Sequence, residues 1–262
     1  MVINPVALFI ALDCEARIFI DLFRLKKEAQ FGSFKIFSSD QIKLVITGIG
    51  KENSLIAMGL FKGLYPHFKG PIINFGIAGH QNFPIGNLFQ IHHLINSTEN
   101  KSFFLNPKSH PLFPFFPLKT LESPQDQYEK QFLFDMEGFW FVQAGLNFYT
   151  IEQLHVLKII SDNKEHSFHT LNKETILRIC LSKKQQLISY FQLLEKVNED
   201  PTLHRLESLE KKMRLTETQK HTLKRLLERA YALKVTIDIE SSLSYERFTT
   251  DLKTKIENSL SL

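Results

Sequence analysis

Cysteine is nearly absent from this chain of 262 residues, which holds Cys14 and Cys180 only. Two isolated thiols exclude a disulfide framework and a cysteine-rich zinc site, and they point to a reducing compartment, with the cytoplasm as the default. No apolar run approaches the roughly 20 residues that a membrane helix needs. The apolar stretch from Pro5 to Leu12 has no basic region before it and runs directly into Asp13 and Glu15, which suits a buried strand rather than a signal peptide. His166 and His169 lie three apart without a third candidate ligand, so no metal site is expected. Net charge is also small, at +4. It is unevenly spread: between His204 and Lys234 nine basic residues stand against four acidic ones, which leaves the rest of the chain at −1. Basic stripes on amphipathic helices are usually a solvated face, so nucleic acid is a less favoured partner than protein.

What the chain does have is apolar content, 43 % of it, enough to bury a full core. Val6 to Leu12, Ile42 to Thr47 and Pro71 to Ile77 are continuous apolar runs of strand length, as expected of strands buried on both faces. Phe19, Leu22 and Phe23 mark a helix after the first run, and Leu55, Met58, Leu60 and Leu64 mark another that Pro66 ends. Leu88 to Ile95 is a further strand candidate. This alternation predicts an α/β domain over residues 1–198, with three layers and a mixed, mostly parallel sheet flanked by helices. From Lys101 to Gln131 the pattern breaks. Pro107, Pro111, Pro114 and Pro117 interleave with Phe103, Phe104, Phe113, Phe115 and Phe116, a composition that predicts a loop rather than a helix or a central strand. That loop would pack through its aromatics as a lid, against a second subunit or on its own domain. Regular structure resumes with a strand from Phe132 to Met136, a helix from Glu137 to Tyr149, a strand from Leu154 to Ile160 and a long helix from Lys173 to Val197.

Residues 199–262 read as a second unit. Asp200-Pro201 is a helix start, followed by an apolar stripe of Leu203, Leu206, Leu209 and Met213. Thr216 and Gln219 have the spacing of a capping box and open a second stripe of Leu223, Leu226, Leu227, Ala230 and Leu233. Val235 to Ile239 alternates like a half-buried strand, and Phe248, Leu252, Ile256 and Leu260 mark a terminal helix. The expectation is a basic helical hairpin that docks on the first domain or on a protein partner.

Three segments end an apolar run on a carboxylate: Ala11-Leu12-Asp13-Cys14-Glu15, Phe134-Asp135-Met136-Glu137-Gly138 and Ile159-Ile160-Ser161-Asp162. Strand ends are where α/β proteins build sites. Taken singly, each acid has a plain structural reading: Ser161-Asp162 can cap a turn, Glu137 can favour a helix dipole, and Glu15 can lie on the surface of a helix start. Between them lie Thr47-Gly48-Ile49-Gly50-Lys51 and Asn74-Phe75-Gly76-Ile77-Ala78-Gly79. The first allows a tight turn with exposed N–H groups, and the second has residues small enough for a flat ligand to lie against the backbone.

In this order the five segments resemble the nucleoside phosphorylase and nucleosidase superfamily, and most of all its 5′-methylthioadenosine/S-adenosylhomocysteine nucleosidases, over about residues 6 to 197. The resemblance implies hydrolysis of the N-glycosidic bond of an adenine-type nucleoside, with no cofactor and with assembly as a homo-oligomer. It implies that Asp162 protonates the purine N7 and that Glu15 activates water. Glu137 would take the ribose hydroxyls with Met136 packed on the sugar, Gly76, Ala78 and Gly79 would line the purine pocket, and Ile49, Gly50 and Ser161 would be further substrate-binding residues. The alternatives are a phosphorylase, which needs an anion pocket, and a nucleoside-binding scaffold without turnover. Neither glycine-bearing segment holds an arginine, which favours hydrolysis. His80-Gln81, Leu121-Glu122-Ser123-Pro124 and the bulky Phe139, Trp140 and Phe141 depart from the family pattern and predict an altered base pocket.

Overall fold

A computed structural model describes residues 5–96, 98–99, 101–105, 112–125, 128–198, 209, 213, 215–232, 235 and 244–260. Contacts divide the chain into two compact units, Met1–Val197 and Asn198–Leu262. In the first, ten strands form one sheet: β1 (Val6–Ile10), β2 (Lys26–Phe31), β3 (Phe34–Ser38), β4 (Ile42–Ile46), β5 (Ile72–Gly79), β6 (Leu88–Asn96), β7 (Ser102–Phe104), β8 (Phe115–Thr120), β9 (Leu133–Asp135) and β10 (Leu154–Asp162). Its helices are α1 (Asp13–Leu22), α2 (Lys51–Leu64), α3 (Gly138–Gly145), α4 (Lys173–Leu181) and α5 (Lys184–Asn198).

The apolar runs sit where burial on both faces demands them. Val6, Leu8 and Ile10 of β1 pack into one core with α1, α4 and α5, while Ala7 and Phe9 pack into a second core with α2 and α3. Alternate side chains of one strand thus serve opposite layers, and the three-layer α/β arrangement follows. The sheet is less parallel than the sequence suggests. Of its ten strand pairings, five are parallel and five antiparallel. Part of it also closes on itself: β5 pairs with β10, and the path β10-β6-β8-β9 returns to the end of β5 at Gly79.

The proline-rich stretch contains strands, contrary to the loop expectation. β8 lies between β6 and β9 and carries Pro117 opposite His93, where the register shifts between Ile91 and His93. The irregularity falls at the residue that has no N–H to give, which is how an interior strand accommodates proline. Pro107 and Pro111 lie outside the described residues. The expected long helix from Lys173 is two helices. The Ser182 N–H bonds Arg178 O and its hydroxyl bonds Ile179 O at 2.7 Å, which satisfies the last carbonyls of α4 and ends it.

In the second unit α6 (Glu217–Ala232) and α7 (Tyr245–Leu260) are described. The Thr216–Gln219 box forms: the Thr216 N–H donates to Gln219 Oε1 at 2.9 Å. Leu209, Leu223, Leu227, Ala230, Phe248, Leu252 and Ile256 are buried together in one cluster. The described parts of the stripes therefore pack on one another. Asp200-Pro201, Leu203, Leu206, Leu233 and most of the Val235 to Ile239 segment lie outside the described residues. Among the described residues no helix is long and apolar enough to cross a membrane.

Candidate active site

Strand ends and the turns that follow them enclose a cavity of about 240 Å³. Its wall includes Glu15, Ile49, Ala78, Gly79, Met136, Glu137, Ser161 and Asp162, so the structure brings together eight of the ten residues singled out from the sequence, and Gly76, expected at the purine, is not in the wall. Gly50 stands behind the wall and donates its N–H to Glu137 Oε1 at 2.8 Å. Gly48 and Gly50 both have positive φ, 85° and 92°, a conformation that glycine adopts at little cost. That turn aims the amide at Glu137.

Glu15 belongs to α1 but is fixed by backbone at both oxygens: the Leu12 N–H donates to Oε2 at 2.8 Å and the Ile77 N–H to Oε1 at 2.9 Å. Burial holds its carboxyl above the ordinary glutamate range, against the pull of those two amides and of Lys158. Glu137 is pushed up to about 7, first by burial and then by the Asp135 charge, with Lys158 and the Gly50 amide acting the other way.

One member of this cluster escaped the sequence reading, and another, Asp135, was quoted there without a role. Lys158 lies inside the apolar run of β10, is 1 % exposed and bonds Asp135 Oδ2 at 2.8 Å. Burial alone would lower its ammonium, but Asp135, Glu137 and Glu15 outweigh that and hold it above the usual lysine value, so the cation persists. Asp135 also accepts the Thr120 hydroxyl at 2.6 Å and the Gly138 N–H at 2.7 Å, capping α3 and tying β8 to the site. A Cβ on Gly76 would lie 3.3 Å from both Glu15 Oε1 and Lys158 Nζ, so that glycine sits against the acid and the cation. The available signal was a lysine among leucine and isoleucine, which a buried strand admits only beside a counter-charge.

At the other end of the cavity Asp162 follows Ser161 on β10. The Ser161 hydroxyl donates to Asp162 Oδ1 and the Tyr128 hydroxyl to Oδ2. Tyr128 had no motif to mark it. Leu121 and Pro124 join it in the wall. The substitutions expected to alter the base pocket mostly point elsewhere: Phe139, Trp140 and Phe141 are buried in the core with α2. His80 stacks on Phe83 with centroids 3.9 Å apart. Its Nδ1 accepts the Asn82 and Phe83 N–H groups, so Nε2 carries the proton toward Lys130 O.

The fold is similar to that of solved 5′-methylthioadenosine/S-adenosylhomocysteine nucleosidases. One solved nucleosidase of this kind, from Helicobacter pylori, is 14 % identical, with 73 % of this chain covering 99 % of it at a TM-score of 0.60. Another, from Chlamydia trachomatis, is 19 % identical over 72 % of this chain and 97 % of its own, at 0.56. A futalosine hydrolase of Helicobacter pylori is 14 % identical over 72 % and 98 %, at 0.59. Neither a protein-family model nor the sequence of a curated protein matches the chain.

Proposed function

We propose that the protein hydrolyses the N-glycosidic bond of a purine nucleoside, releasing the free base without a cofactor. One observation carries the reading: Glu15, Glu137 and Asp162, from three separate strand ends, face one cavity. Glu15 takes a proton from water, whose oxygen bonds C1′ as the bond from C1′ to N9 breaks. Asp162 gives its proton to N7, so the base leaves neutral, and Glu137 accepts the ribose hydroxyls. An acid and a base on opposite sides of a sugar is the logic of inverting glycosidases. A carboxyl held high by burial, as at Glu15, suits a base working near neutral pH.

Hydrolysis is favoured over phosphorolysis because, among the described residues, no arginine lines the cavity and the nearby Lys158 is committed to Asp135. The neighbours' printed activities, on methylthioadenosine, S-adenosylhomocysteine and futalosine, support the nucleoside class and leave the 5′ substituent open. The test is incubation of the intact protein with a panel of purine nucleosides, with and without phosphate, and measurement of free base. Release that is independent of phosphate is expected. Strict phosphate dependence with ribose 1-phosphate as product, or no release from any member of the panel, overturns the proposal.

A further inference from the structure

Tyr128 is a polar wall residue that this mechanism leaves unused. Its hydroxyl donates to Asp162 Oδ2, and its ring lies 5.3 Å from that of Phe134 at 33°. The approach to the backbone is close: a Cβ on Gly79 would lie 2.5 Å from both Cζ and the hydroxyl oxygen of Tyr128, and 2.6 Å from Asp162 Oδ2. A flat aromatic ring therefore rests on Gly79 beside Phe134 and presents a polar atom to Asp162. A purine acted on by Asp162 needs the same three things: a glycine to lie on, an aromatic neighbour and a ring position facing that carboxyl. Tyr128 also lines a second, outer groove with Thr98, Lys119 and Glu122, which gives its side chain somewhere to turn.

We propose that Tyr128 and the base are alternative occupants of one place, so that a purine binds by displacing the tyrosine from Gly79 and Asp162. The proposal rests on the Asp162 role given above. It has a quantitative signature. Affinity for any base is reduced by the fraction of molecules in which the place is open, and that fraction belongs to the protein, not to the ligand. The reduction is therefore the same whether the ligand presents an acceptor or a donor to Asp162. A residue that contacts the bound base would instead affect the two kinds of ligand differently.

Two probes separate these cases: adenine, with an acceptor nitrogen at position 7, and 9-deazaadenine, with an N–H there. Calorimetric titration of the intact protein should show Tyr128→Phe binding both probes more tightly by one common factor of about tenfold or more, the scale of a hydrogen bond to a charged group. Tyr128→Ala, which removes the competing ring as well, should tighten both at least as much. In an Asp162→Asn background the gain from Tyr128→Phe should shrink to about twofold or less, since the hydroxyl loses its charged partner. Weaker or unchanged binding, a gain for one probe only, or no binding of either probe to any variant overturns the proposal. Base release is measured separately. Hydrolysis without the common gain removes the role of Tyr128 alone, and the common gain without hydrolysis removes the hydrolase reading alone.

Discussion

At one end of the cavity Glu15, Glu137 and Asp135 share the single ammonium of Lys158, whereas at the other Asp162 is held by the hydroxyls of Ser161 and Tyr128. The partners differ in what they permit. An ammonium only donates, so it demands a negative neighbour at all times, and a carboxyl beside it changes protonation at a cost to the whole cluster. A hydroxyl can donate to a carboxylate or accept from a carboxylic acid. With Tyr128 displaced, Ser161 remains a partner that suits either form of Asp162, as the proposed proton donor to the base requires. In the proposed reaction a carboxyl group would serve as holder at one end and as acid at the other because its surroundings differ.

Removing the proton from the hydroxyl end should have the largest effect. Asp162→Asn should lower base release by about 10²- to 10⁴-fold, the usual cost of losing a general acid, while leaving nucleoside binding measurable by titration; turnover within threefold of the parent would break the contrast between the two ends. Next comes the charged end. Lys158→Met leaves three buried carboxyls without their cation and should cost about 3–5 kcal/mol of stability in urea unfolding. Asp135→Asn in the same chain should recover part of that loss, and a cost below about 1 kcal/mol would show that the cluster does not depend on Lys158.

A smaller effect is expected at Glu137, the proposed ribose holder. Glu137→Ala should weaken nucleosides by roughly 10- to 150-fold, equivalent to one charge-assisted hydrogen bond, and free adenine much less. Equal weakening of both would move Glu137 out of the ribose site. The finest test is pH. With Glu137 near 7, nucleoside affinity should fall by about tenfold per unit as pH drops below that value, because the ionised form accepts the hydroxyls. Stability runs the other way. A carboxyl raised in the folded state binds more protons folded than unfolded, so its contribution is full below about 4.5 and is lost as pH rises through about 7. Glu137→Gln should remove both trends, and their persistence in that variant would assign them to another group.

The strands of the central layer could be read from the sequence because burial on both faces leaves an unbroken apolar run, as at Val6–Ile10 and Ile72–Gly79. The β2–β3 hairpin could not. Lys26–Phe31 is almost wholly exposed and carries lysine, glutamate and glutamine, so no face of it records a core. β8 was hidden for a different reason, since Pro117 forbids a regular ladder and only the shifted partner strand shows how it is accommodated. Among the site residues, those in strand-end motifs were legible by position. Lys158 and Tyr128 owe their places to partners 23 and 34 residues away in the chain, Asp135 and Asp162; local pattern shows at most that Lys158 needs a counter-charge and does not identify either partner.

Gly76 turns the spacing of the charged end into something adjustable. A methyl group there would press at 3.3 Å on Glu15 Oε1 and on Lys158 Nζ at once, and both are side-chain ends able to yield by a few tenths of an ångström. Gly76→Ala would act as a shim, changing the gap between an acid and its counter-ion while every ionisable group stays in the protein. The spacing of Glu15 and Lys158 thereby becomes a mechanical setting, held by a residue with no side chain.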